Sequence, residues 1–131
     1  SAMKFSTHDV KSPLLNAEIA CGACHTDVTY VTERVALIQD QVRQAMDDAE
    51  DALIAAIQAI EAAATSPDVN TDLLSEARNL HREAQLRWDF IAAENSMGFH
   101  NPEEALRILA ASTNLARQAE LKAFQAVHFQ E

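Results

Sequence analysis

The chain is poor in residues that interrupt helices, with two glycines and three prolines among 131 residues. Sheet folds rich in tight turns need more of both. With alanine abundant, the scarcity points to long helices. Basic residues are few as well. Ten Lys and Arg face twenty Asp and Glu, which leaves a net charge of −10 and an isoelectric point near 4.8. So acidic a surface argues against nucleic acid and anionic membranes as partners, and for basic patches on whatever the protein meets. No apolar run approaches the length of a membrane span, so the chain is expected to be soluble. No signal-peptide pattern opens it. Ser1-Ala2-Met3 reads as a vector remnant, so a leader, or more, is expected upstream in the natural protein. Hydrophobic residues make up 48%, enough for one core in one domain of ordinary size.

Cysteine is limited to two residues, and both fall in Cys21-Gly22-Ala23-Cys24-His25. Cys-x-x-Cys-His is the spacing of c-type haem attachment. Two thiols this close reach the two vinyl groups of one haem and form thioethers. The adjacent histidine then gives an imidazole nitrogen to the iron as proximal ligand. A thioredoxin-like redox pair would need a βαβ context, and none is visible. A zinc site would need a second pair of ligands, and the other histidines are scattered. One covalent haem c per chain is therefore expected, with Cys21 and Cys24 as attachment points and His25 on the iron. Attachment places the natural protein in a bacterial periplasm or an equivalent compartment. Expressed in a cytoplasm, the chain would carry two free thiols and no haem.

Residues 1–25 read as an irregular segment holding this motif, because Lys11-Ser12-Pro13 breaks any helix. Leu14, Leu15 and Ile19 are available to pack on a haem face or under the bundle. Residues 26–131 read as three long helices forming one domain, at about 26–65, 70–97 and 101–130. In the first, apolar or small residues recur from Val28 to Ala63 in a sustained 3-4 alternation, valine and isoleucine giving way to alanine. Asp27 suits its positive end, and Ser66-Pro67-Asp68 stops it. The second presents Leu73, Ala77, Leu80, Ala84, Trp88 and Ile91, with Gly98 as its terminal cap. Asn101-Pro102-Glu103-Glu104 opens the third as a capping box, and Leu106, Leu109, Leu115, Ala119 and Phe124 follow. The expected fold is all-α, an elongated up-down-up three-helix bundle. Its alanine seam is suited to self-association as a homodimer, or to packing within the chain.

Four further histidines remain. His128 suits the negative end of the third helix. His81 reads as a partly buried, hydrogen-bonded residue of the second. His100 sits in the tight Gly98-to-Pro102 connection, where backbone constraint on both sides aims its ring. His8 lies in the segment ahead of the haem motif. Either is suited to be a distal iron ligand. At ~1.5 Å per residue, a second helix shorter than the first leaves His100 level with about residue 36 or 37, away from Cys24. It is thus better placed for a neighbouring haem.

Several stretches together resemble the C-terminal part of the pentahaem cytochrome c nitrite reductases, the ammonia-forming family. They are His8 with Lys11-Ser12-Pro13-Leu14-Leu15-Asn16, then Cys21-x-x-Cys24-His25, His81-Arg82, Trp88-Asp89-Phe90, and Ala93-Glu94-Asn95-Ser96-Met97-Gly98-Phe99-His100-Asn101-Pro102. The resemblance runs in order along nearly the whole chain. It implies that Cys21, Cys24 and His25 hold the last of five haems, with His25 proximal. His8 and His100 would be distal ligands to other haems, and the last haem's own distal ligand would lie upstream, outside this chain. It further implies that the long helices form a dimer interface. The family's Cys-x-x-Cys-Lys catalytic haem, its catalytic arginine, tyrosine and histidine, and its calcium site are not identifiable here, so no nitrite reduction is expected of this chain alone.

The leading expectation is thus a dimer-forming, electron-transfer haem c module that works with upstream haem domains or a redox partner. The alternatives are a stand-alone monohaem helical cytochrome, acting as carrier or ligand sensor, and an apo helical dimerisation fragment.

Overall fold

The computed structural model describes residues 11–128. His8 lies outside the described residues. Among those described there is no strand. A 3-10 turn at Pro13–Asn16 precedes α1 (Ala17–Ala20), α2 (Val28–Ala64), α3 (Thr71–Ala93) and α4 (Pro102–His128). The fold is all-α, as the composition requires. The segment expected to be irregular holds the 3-10 turn and the single turn of α1. No helix of the described residues is long and apolar enough to cross a membrane. The chain divides into two compact units, Ser1–Leu37 and Ile38–Glu131.

The second unit is built on small residues. Ala49, Ala52, Ala56 and Ala63 of α2 are buried, as are Ala77 and Ala84 of α3. On α4 the buried stripe is Ala105, Leu109, Ser112, Ala116, Ala119, Ala123 and Ala126, spaced three and four apart. Methyl-sized side chains on all three helices let the backbones approach closely, towards the short end of the ~8–10 Å interaxial range. The alanine seam of α2 is thereby used inside the unit and is not free to receive a second chain.

Three clusters fix the register. Ile38, Val42, Met46 and Ala49 meet Ile91, Ala105 and Leu109. Ala52 and Leu53 meet Ala84 and Ala116. Ala63 meets Leu74, Ala77, Ala123 and Ala126. As numbers rise along α2 they fall along α3 and rise along α4, which is the expected up-down-up order.

Polar bonds between helices lock this arrangement. The Trp88 indole N–H donates to the Met46 carbonyl at 3.1 Å. The hydroxyl of fully buried Ser112 donates to the Ala84 carbonyl at 2.8 Å. The Asn70 amide donates to the Ala126 carbonyl at 2.8 Å, while its own side chain caps α3 by accepting from Asp72 and Leu73. Each satisfies a polar group that burial would otherwise penalise.

Small seams displace large side chains sideways. Leu74 takes the buried position on α3, while Leu73, Leu80 and Trp88 are half-buried. Phe124, expected in the core, is exposed and stacks on His128 with ring centroids 3.9 Å apart. The His128 Nδ1–H donates to the Phe124 carbonyl at 2.9 Å, satisfying a carbonyl of the last turn.

Among the described residues Leu109 is the largest fully buried side chain, and it sits among Val42, Met46, Ile91 and Ala105. Leu109→Ala should lower the unfolding free energy by about 2–5 kcal/mol, read as a lower urea midpoint at unchanged slope.

Candidate functional site

In the first unit the Ser12 side chain accepts from the Leu14 amide and starts the 3-10 turn, with Pro13 at its first position. Asn16, the last residue of that turn, has φ −136° and stands as the N-cap of α1. The Cys21 and Gly22 amides both donate to the Ala17 carbonyl, at 2.8 and 3.3 Å, which closes α1. The Cys24 and His25 amides then both donate to the Cys21 carbonyl, at 3.1 and 2.9 Å. The five-residue motif is thus folded back on its own first carbonyl. A Cβ at Gly22 would strike the Glu18 carbonyl oxygen, so this position takes glycine because of close backbone approach. Asp27 ends the turn by accepting from the Tyr30 amide at 2.9 Å, the N-cap of α2.

Cys21 is half-buried and Cys24 exposed, and neither is in a disulfide. His25 is exposed. Close in sequence, Leu15 and Ile19 are uncovered at 69% and 82% exposure. A shallow groove of about 400 Å³ runs among Leu15, Ala17, Ile19, Val28 and Thr29. Among the described residues no three His, Cys, Asp or Glu side chains could together hold a metal ion. The motif presents its groups outward and in sequence, not as a cage. Two unlinked thiols, an exposed imidazole and uncovered apolar surface in one short segment fit a flat, apolar, covalently held ring.

In the second unit His100 is placed by the connection from α3 to α4. Periodicity suggests a helix to Met97 capped by Gly98, but α3 ends at Ala93. Glu94 leaves the helix with extended backbone, φ −76° and ψ 129°. Its carboxylate turns back to accept from the Ser96 amide at 2.9 Å, the Ser96 hydroxyl at 2.8 Å and the Gly98 amide at 3.0 Å. The His100 amide donates to the Ser96 hydroxyl at 3.3 Å. The Gln39 side chain donates to the Ser96 carbonyl at 3.0 Å. Met97 and Gly98 both lie in the left-handed region, at φ 52° and 80°. A Cβ at Gly98 would come within 2.6 Å of a Val42 methyl, so glycine is required twice over. Ser96 and Gly98 of the connection therefore lie level with Gln39 and Val42 of α2.

The His100 side chain is 73% exposed, with Nδ1 3.8 Å from the Glu94 carboxylate and its ring 4.3 Å from that of Phe99. Beside it lies a cavity of about 150 Å³ lined by Phe90, Ile91, Glu94, Ala105 and Ile108. Partial burial pushes the Glu94 carboxyl up. The Gly98 amide, the Ser96 hydroxyl and amide, and the charge of His100 outweigh that and hold it below the usual carboxylate range. Asn101 caps α4 by accepting from the Glu104 amide at 3.3 Å. The expected capping box is half made. The Asn101 amide already donates to the Gly98 carbonyl, and the Glu104 carboxylate pairs with Arg107 at 2.6 and 2.7 Å.

The structure thus brings Cys21, Cys24 and His25 together in one turn and sets His100 in a separate, braced one. The bracing of the His100 connection by Glu94 and Ser96 was not foreseen, because the helical period runs on through them. An acid two and four residues ahead of a serine and a glycine was the available signal.

His81 is half-buried on the stripe between Ala77 and Ala84, but its Nε2 is buried without a hydrogen-bond partner, contrary to expectation. Burial holds its pKa below the ordinary 6.5. The unfolded state then binds more protons near and below that pH. Stability should be full above about pH 6.5 and fall as pH drops from there through the folded pKa. His81→Leu should remove this part of the slope, read from urea midpoints between pH 7.5 and 5.

A family model described as cytochrome c552 matches residues 1–130. The chain is 34% identical over 96% of its length to the cytochrome c nitrite reductase subunit NrfA of Nitratidesulfovibrio vulgaris, covering 25% of that protein. It is 33% identical over 92% of its length to a cytochrome c-552 of Aliarcobacter butzleri, covering 24% of it. The solved cytochrome c nitrite reductase of Desulfovibrio desulfuricans superposes with a TM-score of 0.83 at 34% identity, over 90% of this chain and 26% of that one. The chain spans about a quarter of the length of the relatives it matches.

Proposed function

The chain belongs to the cytochrome c552 family, and from that premise we propose that it is the C-terminal, haem c-bearing electron-transfer module of an ammonia-forming multihaem nitrite reductase, working in the periplasm. The observation that carries this reading is the Cys21–His25 turn, where two unlinked thiols and an exposed imidazole stand close in sequence to uncovered Leu15 and Ile19. Covalent haem c is general to cytochromes c, and when bound it supplies one-electron chemistry at iron.

This chain's residues do the holding. Cys21 and Cys24 anchor the ring through thioethers, His25 gives its imidazole to the iron, and Leu15 and Ile19 cover apolar edge and exclude water. His100, in the second unit, is the distal ligand of a neighbouring haem, and His8 that of another. Upstream haem domains supply those haems and receive or deliver the electrons. Two copies associate through helix faces that carry exposed Leu86, Phe90, Leu121 and Phe124, not through the alanine seam.

The test is a visible spectrum with a pyridine haemochrome assay, on protein made where haem-attachment machinery is present. A haem c haemochrome with sharp reduced α and β bands is expected. Replacing Cys21 and Cys24 together by alanine should abolish covalent haem while leaving the circular dichroism of the long helices α2, α3 and α4 in place. A missing Soret band in that compartment would overturn the reading and leave a helical assembly fragment.

A further inference from the structure

The loop that carries His100 is held by more polar bonds than joining two helices requires. One carboxylate, Glu94, accepts three hydrogen bonds from Ser96 and Gly98. Ser96 is 3% exposed, and its hydroxyl passes the constraint on by accepting from the His100 amide. Gln39 of α2 holds the Ser96 carbonyl from the other side. The enclosed backbone includes two successive left-handed residues, one of them Met97, which a free loop would not keep. Yet the ring at the end of this bracing is 73% exposed and makes no hydrogen bond in any of these contacts. Rigid backbone beneath an exposed imidazole is the arrangement of a ligand prepared for something outside the unit.

We infer that Glu94 is a positioning residue that acts through Ser96 to hold the His100 imidazole ready for iron. The inference rests on the proposed role of His100 as distal ligand to a neighbouring haem, and adds the residue that keeps it in place. The 3.8 Å separation from Nδ1 is too long for a hydrogen bond. It does put the carboxylate on the Nδ1 side, which leaves Nε2 as the nitrogen to face the metal. A carboxylate behind a ligating histidine orients the ring. Glutamine cannot replace it, because both Glu94 oxygens accept from backbone amides, one from Ser96 and the other from Gly98 and the Ser96 hydroxyl, so an amide nitrogen in either place faces an N–H it cannot accept.

Two measurements test this. In the 131-residue chain, amide hydrogen exchange at Gly98 and His100 should accelerate by about tenfold or more in Glu94→Gln, with α3 and α4 amides unchanged. Ser96→Ala should accelerate His100 as well. In the haem-loaded multihaem protein, electron paramagnetic resonance should show one low-spin haem lost in His100→Ala. The same haem should become partly high-spin in Glu94→Gln, at unchanged helicity. If His100→Ala converts one haem and Glu94→Gln leaves it untouched, the positioning role is overturned and the ligand role stands. If His100→Ala leaves every haem low-spin, the ligand role itself falls, and this inference with it. Unchanged exchange in Glu94→Gln overturns the clamp without reference to haem.

Discussion

Ala52 of α2, Ala84 of α3 and Ala116 of α4 meet at one level of the bundle with Leu53 beside them. That closeness governs the rest. Helices packed methyl to methyl have little freedom to slide, because a shifted register would drive Leu109 or Met46 into space sized for alanine. Buried polar bonds become possible only at this separation. Ser112 reaches the Ala84 carbonyl because no larger residue stands between them. The same closeness pushes larger apolar groups outward, so Leu86, Phe90, Leu121 and Phe124 stay more than half exposed. A bundle cored with alanine gains less from its own burial than one cored with leucine. Its uncovered flanks then supply the area that assembly can use.

Register also sets the connection between α3 and α4. Once Ala63 is fixed against Leu74 and Ala77, the run of α3 brings Ser96 to Gln39 and Gly98 to Val42. The chain must reverse over few residues against a valine methyl, which forces the left-handed pair at Met97 and Gly98. Glu94 offsets that cost by taking amides that a longer helix would have used internally. The braced histidine is thus a consequence of where the alanine seam puts the end of α3.

Much of the fold was legible in the sequence. The 3-4 alternation from Val28, the stop at Ser66-Pro67 and the Asn101-Pro102 start each correspond to an observed helix end within a few residues. Side-chain assignment was less legible where two neighbours compete for one face. Leu74 displaced Leu73, and alanines displaced Phe124, because a seam narrow enough for alanine selects by size and periodicity does not. The Cys21-x-x-Cys24-His25 motif was legible from spacing alone, but its folding back on the Cys21 carbonyl was not. The Glu94 clamp was not legible either, because its bonds are local, run from side chain to backbone and interrupt a helical pattern that continues in the letters.

The two candidate iron-binding elements are ordered by opposite means. His100 stands on a loop that the protein braces by itself, through Glu94, Ser96, Gln39 and the register of α2 and α3. The motif segment has only one turn of helix, far below the length at which a helix sustains itself. Leu15 and Ile19 beside it stay mostly exposed, although full burial of each would contribute about 1.5–3 kcal/mol. A body that covered those side chains would add that stabilisation. A haem joined at Cys21 and Cys24, as proposed, would be such a body, tethered so that its effective concentration over Leu15 and Ile19 is high. On the proposed reading a bound haem would help to order its own segment, whereas the loop under His100 is already braced by the protein.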